Sequence, residues 1–105
     1  MLGWEIHIIN KSTNQKYGDW LAGQGATKWI DRLVAEGKAE KTHQVASSFY
    51  VIKVNDLIPE IIKLERDSKA GINGDGWITD FVIDIEALNK CAVDELIVVQ
   101  TYDAS

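Results

Sequence analysis

Ala26, Trp29, Ile30, Leu33 and Val34 fall at i, i+3, i+4, i+7 and i+8, and Lys28, Asp31, Arg32 and Glu36 fill positions between them. A repeat near 3.6 predicts a helix over Ala26–Lys38 that buries one face. Gly25 or Thr27 is placed to start it. Gly37 supplies the left-handed residue that ends it. Near the start of the chain the period is two: Trp4, Ile6 and Ile8 alternate with Glu5 and His7, as in a half-buried strand. Lys11–Gln15 reads as a polar turn. Tyr17 to Gly25 holds three glycines around Trp20 and Leu21 and reads as a compact loop.

After Gly37, the chain admits either a loop running into a strand at Phe49–Val54, or a hairpin. The hairpin, preferred here, pairs Ala39–Gln44 with Phe49–Lys53 across Ala46, Ser47 and Ser48. Its second strand is apolar on both faces, as in a sheet interior. Asn55 or Asp56 then caps a second helix near Asp56, with Pro59 in the first turn, where amide hydrogens have no helical partners. Leu57, Ile61 and Leu64 form one row of it, Ile58 and Ile62 the next, and Glu60, Lys63 and Arg66 are expected in solvent. Ser68–Gly76 reads as a loop, Trp77–Ile85 as a strand with Phe81, Ile83 and Ile85 inward, Glu86–Ala92 as a short helix, Leu96–Thr101 as a buried strand, and the tail from Tyr102 as frayed. The order predicts an α/β or α+β fold, a two-layer domain over residues 1–105 with two main helices on a small mixed sheet of four to five strands.

Composition agrees with this. A chain of 105 residues with 46% hydrophobic and 26% charged residues has apolar material for one core, which argues against disorder. Its apolar runs are too short to cross a bilayer. The opening MLGWEIHIIN has no basic start or small-residue cleavage site, so it reads as a strand and not a signal peptide. The single cysteine, Cys91, cannot form an internal disulfide and fits a reducing compartment; a cytoplasmic location is expected.

Charge is unevenly spread. Residues 1–66 hold eight acids and nine Lys or Arg, whereas residues 67–105 hold eight acids against Lys69 and Lys90. The net charge of −5 therefore comes from the last third. A surface of that sign repels nucleic-acid phosphates and attracts basic proteins. Asp75, Trp77, Asp80, Asp84, Asp94 and Glu95 are the expected partner-binding residues, forming one negative face beside aromatic anchors if the last two strands pair.

Other constellations are weaker. GINGDGWITD resembles the calcium loops of EF-hands and dockerins at Asn73, Asp75, Gly76 and Ile78, but Gly71 and Val82 stand where two carboxylates are needed. Gly23–Lys28 opens a helix with amides and a lysine, a possible anion cradle without a phosphate-loop spacing. LVAEGKA before a hairpin resembles the recognition helix and wing of winged-helix domains. His7 and His43 are the only histidines, and neither they nor Cys91 belong to a recognisable catalytic set. Asp80 and Asp84, about 13 Å apart on a strand, are too far apart for a carboxylate dyad. No zinc-ligand spacing occurs, and neither metal nor cofactor is expected. In size, charge and chemistry the chain is similar in character to immunity proteins that block toxin nucleases and to small phage-encoded inhibitors. The expected function is non-enzymatic: neutralisation of a basic partner. The alternatives are a small-molecule or metal-ion site in the Gly23–Lys28 or Asn73–Asp80 loop, or a winged-helix-like regulatory domain.

Overall fold

A computed structural model describes residues 3–23, 25–44, 47–70 and 78–103. The elements are β1 (Trp4–Asn10), β2 (Lys16–Ala22), α1 (Lys28–Ala35), β3 (Ala39–Gln44), β4 (Ser47–Lys53), α2 (Val54–Ala70), β5 (Ile78–Ile83), α3 (Ile85–Asn89) and β6 (Leu96–Asp103). One six-stranded sheet runs in the order β3-β4-β6-β1-β2-β5, and every neighbouring pair is antiparallel. The architecture is of α+β type. Among the described residues, six strands replace the expected four to five, none is parallel, and a short third helix accompanies the two main ones.

The additional strand is β2, within the stretch that reads as a loop. Gly18 is the source of the error. A Cβ there would lie 2.2 Å from the carbonyl oxygen of Val82 and 2.8 Å from Cα of Ile83. This glycine does not break the strand; it lets β5 approach β2 closely. β1 joins β2 through the expected polar turn, where the Asn10 amide donates to the Gln15 carbonyl at 2.8 Å and Asn14 adopts a left-handed conformation with φ 62°. Asparagine tolerates that geometry better than most side chains.

The helix α1 keeps the face expected of it. Ile30 and Leu33 are buried, and Ala26, Trp29 and Val34 pack against the core. Gly37, with φ 79°, closes its end. The Gly37 amide donates to the Val34 carbonyl at 3.0 Å and the Lys38 amide to the Leu33 carbonyl at 2.9 Å, the paired bonds of a Schellman motif. Asp31 ties α1 to the hairpin below it: it accepts from the Tyr50 hydroxyl at 2.9 Å, the Thr27 hydroxyl at 3.0 Å and the Lys41 ammonium at 3.3 Å. Burial pushes the Asp31 carboxyl up, but those hydrogen bonds and the Lys41 charge together hold it below the usual carboxylate range.

The β3–β4 hairpin forms, but Ser47 and Ser48 belong to β4 and pair with Gln44 and His43 instead of making the turn; its register pairs Ala39 with Ile52 and Lys41 with Tyr50. It is not a free-standing wing, because β4 continues the sheet onto β6. α2 starts at Val54, earlier than Asp56, since the backbone before β6 caps it: the amides of Val54 and Asn55 donate to the carbonyls of Glu95 and Val93, at 2.9 and 3.1 Å. Pro59 therefore lies in the second turn. Leu57 and Ile61 are buried, whereas Ile62 is 52% exposed and Glu60 pairs with Arg32 at 2.6 Å. The helix continues through Ser68–Ala70, and the expected loop at 71–76 lies outside the described residues. β5 stops at Ile83, so Ile85 opens α3 instead of ending the strand. β6 runs on through Tyr102 and Asp103, which pair with Glu5 and Trp4, so this part of the tail is ordered into the sheet.

The core lies on one side of the sheet. Ile6, Ile8, Trp20, Tyr50, Ile52, Ile97 and Val99 meet Ile30 and Leu33 of α1, Leu57 and Ile61 of α2 and Leu88 of α3 in one buried cluster. Trp20 stacks on Phe81 with ring centroids 4.9 Å apart.

Candidate functional site

Alternation along each strand leaves a second, outward face. One row across it reads Val51, Val98, Ile9, Lys16; the next reads Phe49, Gln100, His7, Asp19, Val82; a third reads Ser47, Tyr102, Glu5, Leu21, Thr79. Ile9, Leu21, Phe49, Val51 and Val98 are half-buried by their neighbours and do not pack against the core. Val82 is 67% exposed and Leu96 38%. Among the described residues, all three helices contribute their buried side chains to the opposite face, so this one is uncovered.

Charge on this face is local. Glu5 and Asp19 point outward from β1 and β2. Asp80 joins them from a bulge in β5, with φ 54°, and the three line a depression of about 200 Å³ with Leu21 and Trp20. His7 is hydrogen-bonded to Glu5 at 2.7 Å and sets its ring edge-to-face with Tyr102, centroids 5.6 Å apart. Lys16 pairs with Asp19. On the other half of the face, Glu40 of β3 and Lys53 of β4 are both exposed.

A second feature is a polar cleft of about 430 Å³ where the end of β1 and the start of β2 meet α3 and the approach to β6. Asn10, 2% exposed, organises it. Its Oδ1 accepts from the amides of Ser12 and Thr13, at 2.8 and 3.0 Å, and its Nδ2 donates to the Tyr17 hydroxyl at 2.9 Å and to Glu95. The Tyr17 oxygen lies 3.2 Å from Cys91 Sγ, and the thiol donates to the Ala87 carbonyl at 3.5 Å. With Asn10 donating to Tyr17, the hydroxyl hydrogen is directed at the sulfur, giving a one-way chain Asn10–Tyr17–Cys91–Ala87. Burial, then the contact with Cys91, raises the Tyr17 pKa, and Asn10 offsets part of that. The cleft lining holds no histidine to act as a base toward the thiol. Asp84, Glu86 and Glu95 also line it, with Lys90. Asp84 caps α3 by accepting from the Ala87 amide at 3.1 Å, and Glu95 is held by Asn10; both have structural roles.

The expected partner-binding residues are thus distributed over separate places. Asp84 and Glu95 share the cleft, with Asp94 next to Glu95 in the chain and exposed. Asp80 lies on the outer face, and β5 and β6 are separated by β1 and β2, so these strands do not pair. Asp75 and Trp77, with most of the Asn73–Asp80 loop, lie outside the described residues, as does the side chain of His43. In the Gly23–Lys28 stretch, the amides of Ala26 and Lys28 donate to the carbonyls of Gly23 and Gly25, at 3.1 and 3.2 Å, within the loop itself. Among the described residues, no three His, Cys, Asp or Glu side chains are grouped to hold a metal ion, and no helix is long and apolar enough to cross a membrane.

Sequence reasoning missed the outer face. Its signal is present: FYVIKV and LIVV are apolar at both parities, a pattern that a sheet covered on both sides shares with a sheet that has one open apolar face. Glu5 and Asp19 give no charge signal, because they belong to the first two thirds of the chain, where acids and bases balance. Comparisons with family models, with curated proteins and with solved structures gave no match.

Proposed function

We propose that this chain is a protein-binding module, an inhibitor or immunity-type protein that neutralises a basic partner, such as a toxin nuclease, in the cytoplasm of a bacterial-type cell. The reading is non-enzymatic and needs no cofactor. One observation carries it: the uncovered sheet face combines half-exposed aliphatic side chains with an excess of carboxylates, Glu5, Asp19, Asp80 and Glu40 against Lys16 and Lys53. Interfaces of this make-up hold their partner by apolar contact and select it by charge. Asp84, Asp94 and Glu95 add to the same sign of field at one end of the molecule and speed encounter with a cationic surface.

The test is titration of this chain into basic nucleases, beginning with any whose gene adjoins its own, at about 0.05 M and about 0.5 M salt. Nuclease activity is expected to be blocked at one equivalent. The association rate is expected to fall at least about tenfold between the two conditions. An equal rate at both would remove the electrostatic basis of the proposal.

A further inference from the structure

The outer face is graded from one side to the other. Ile9, Val51 and Val98, with Phe49 beside them, lie on β1, β4 and β6, and on that side Glu40 and Lys53 balance; Glu5, Asp19 and Asp80 lie on β1, β2 and β5 against Lys16 alone, with Leu21 and the exposed Val82 among them. From this we infer that the partner segment crosses the strands instead of lying along them, with Lys or Arg over β2 and β5 and aliphatic side chains over β4 and β6. The inference rests on the basic partner proposed above and adds its composition and direction.

Area requires both halves. A standard interface covers about 800 Å² on each partner. The strands β4, β6 and β1 span only about 10 Å from first to last, at about 4.8 Å per spacing. The aliphatic strip alone is too narrow, so the acidic strands take part. Charge then selects the occupant. A second copy turned face to face about an axis along the strands would set β2 and β5 opposite β4 and β3 of the other copy. There Glu40 offsets the one outward lysine, Lys53, so the carboxylates of β2 and β5 gain no counter-charge. A partner with Lys or Arg at that end answers Glu5, Asp19 and Asp80 directly. The distance from β4 to β5 is four spacings, about 19 Å, which a helix of about 13 residues crosses.

The probe is a synthetic helical peptide of about 13 residues, Lys in its first half and Leu in its second, with a nitroxide at the Leu end. It is titrated into isotope-labelled protein while backbone amide signals are followed. Signals of β4 and β6 are expected to broaden most, with broadening falling off across β1 toward β2 and β5. Val98→Lys is expected to weaken binding about tenfold, and the double variant Asp19→Asn with Asp80→Asn about threefold, at low salt. Unchanged thermal melts establish that these variants are folded. Broadening that is equal across the sheet, or strongest on β2 and β5, overturns the direction while the basic partner stands. Equal affinity for a Glu/Leu peptide overturns the basic partner itself. No binding, shifts confined to α3 and the polar cleft, or self-association without peptide each overturn this surface as the docking site.

Discussion

The same strands build two unlike faces. On one, Tyr50, Val99 and Ile8 lie in a row and are fully or almost fully buried under the helices. On the other, one residue along, Val51, Val98 and Ile9 form a row of similar size and chemistry with no helix of the described residues over it. Folding needs the first row, since it lies at the centre of the buried cluster. The second row contributes strand propensity and neighbour contacts, which a Thr would supply nearly as well. Aliphatic side chains at positions where folding does not need them are what a binding surface looks like in a small two-layer protein.

Paired substitutions test that difference. Ile8→Ala is expected to lower unfolding free energy by about 2–5 kcal/mol, because Ile8 is fully buried. Its neighbour Ile9→Ala is expected to cost less, about 1 kcal/mol, because Ile9 is only partly buried and does not pack against the core. Urea titrations of the two variants measure both, and equal losses would mean that the outer face is covered in solution. A smaller effect is expected where the two faces meet the sheet edge. Gly18→Ala places a methyl against the backbone of Val82 and Ile83, and is expected to cost about 1–3 kcal/mol while loosening β5. Amide exchange should quicken in β5 more than in β4.

The smallest effect concerns the polar tie on the helix side. Tyr50→Phe removes the hydroxyl that donates to Asp31 and is expected to cost about 1 kcal/mol near neutral pH. The Asp31 carboxyl titrates lower in the folded chain than in the unfolded one, so its stabilisation is fully present above the unfolded value, about pH 4. It is lost as pH falls through the lower folded value. Melts of the Asp31→Asn variant between about pH 5 and about pH 2 should therefore be less acid-sensitive than those of the parent protein.

Much of this was legible in the residues. The 3.6 repeat at Ala26–Val34 found α1 and its buried stripe, and Gly37 marked its end because only a left-handed residue allows both closing bonds. Small residues before the apolar run FYVIKV indicated the hairpin, although two of them, Ser47 and Ser48, are part of β4. β2 was not legible, because a glycine in a strand and a glycine in a loop are the same letter until the carbonyl of Val82 is seen against it. The start of α2 was misplaced for a similar reason: its capping carbonyls come from Val93 and Glu95, far along the chain. The polar cleft was invisible, since Tyr17 meets Cys91 across 74 positions and Asn10 meets Glu95 across 85. Local periodicity carries no information about contacts of that range.

The placement of β6 bears on how the chain assembles. It lies between β1 and β4, so it bridges the β1–β2 and β3–β4 hairpins, yet it follows both in the chain. Without residues 96–103 the β1–β2–β5 and β3–β4 pairings would share no hydrogen-bonded strand, and β1 and β4 would each present an open edge with Ile8 or Tyr50 beside it. Removal of β6 is therefore expected to abolish the fold as a whole and to leave two strand edges open to pairing with another copy.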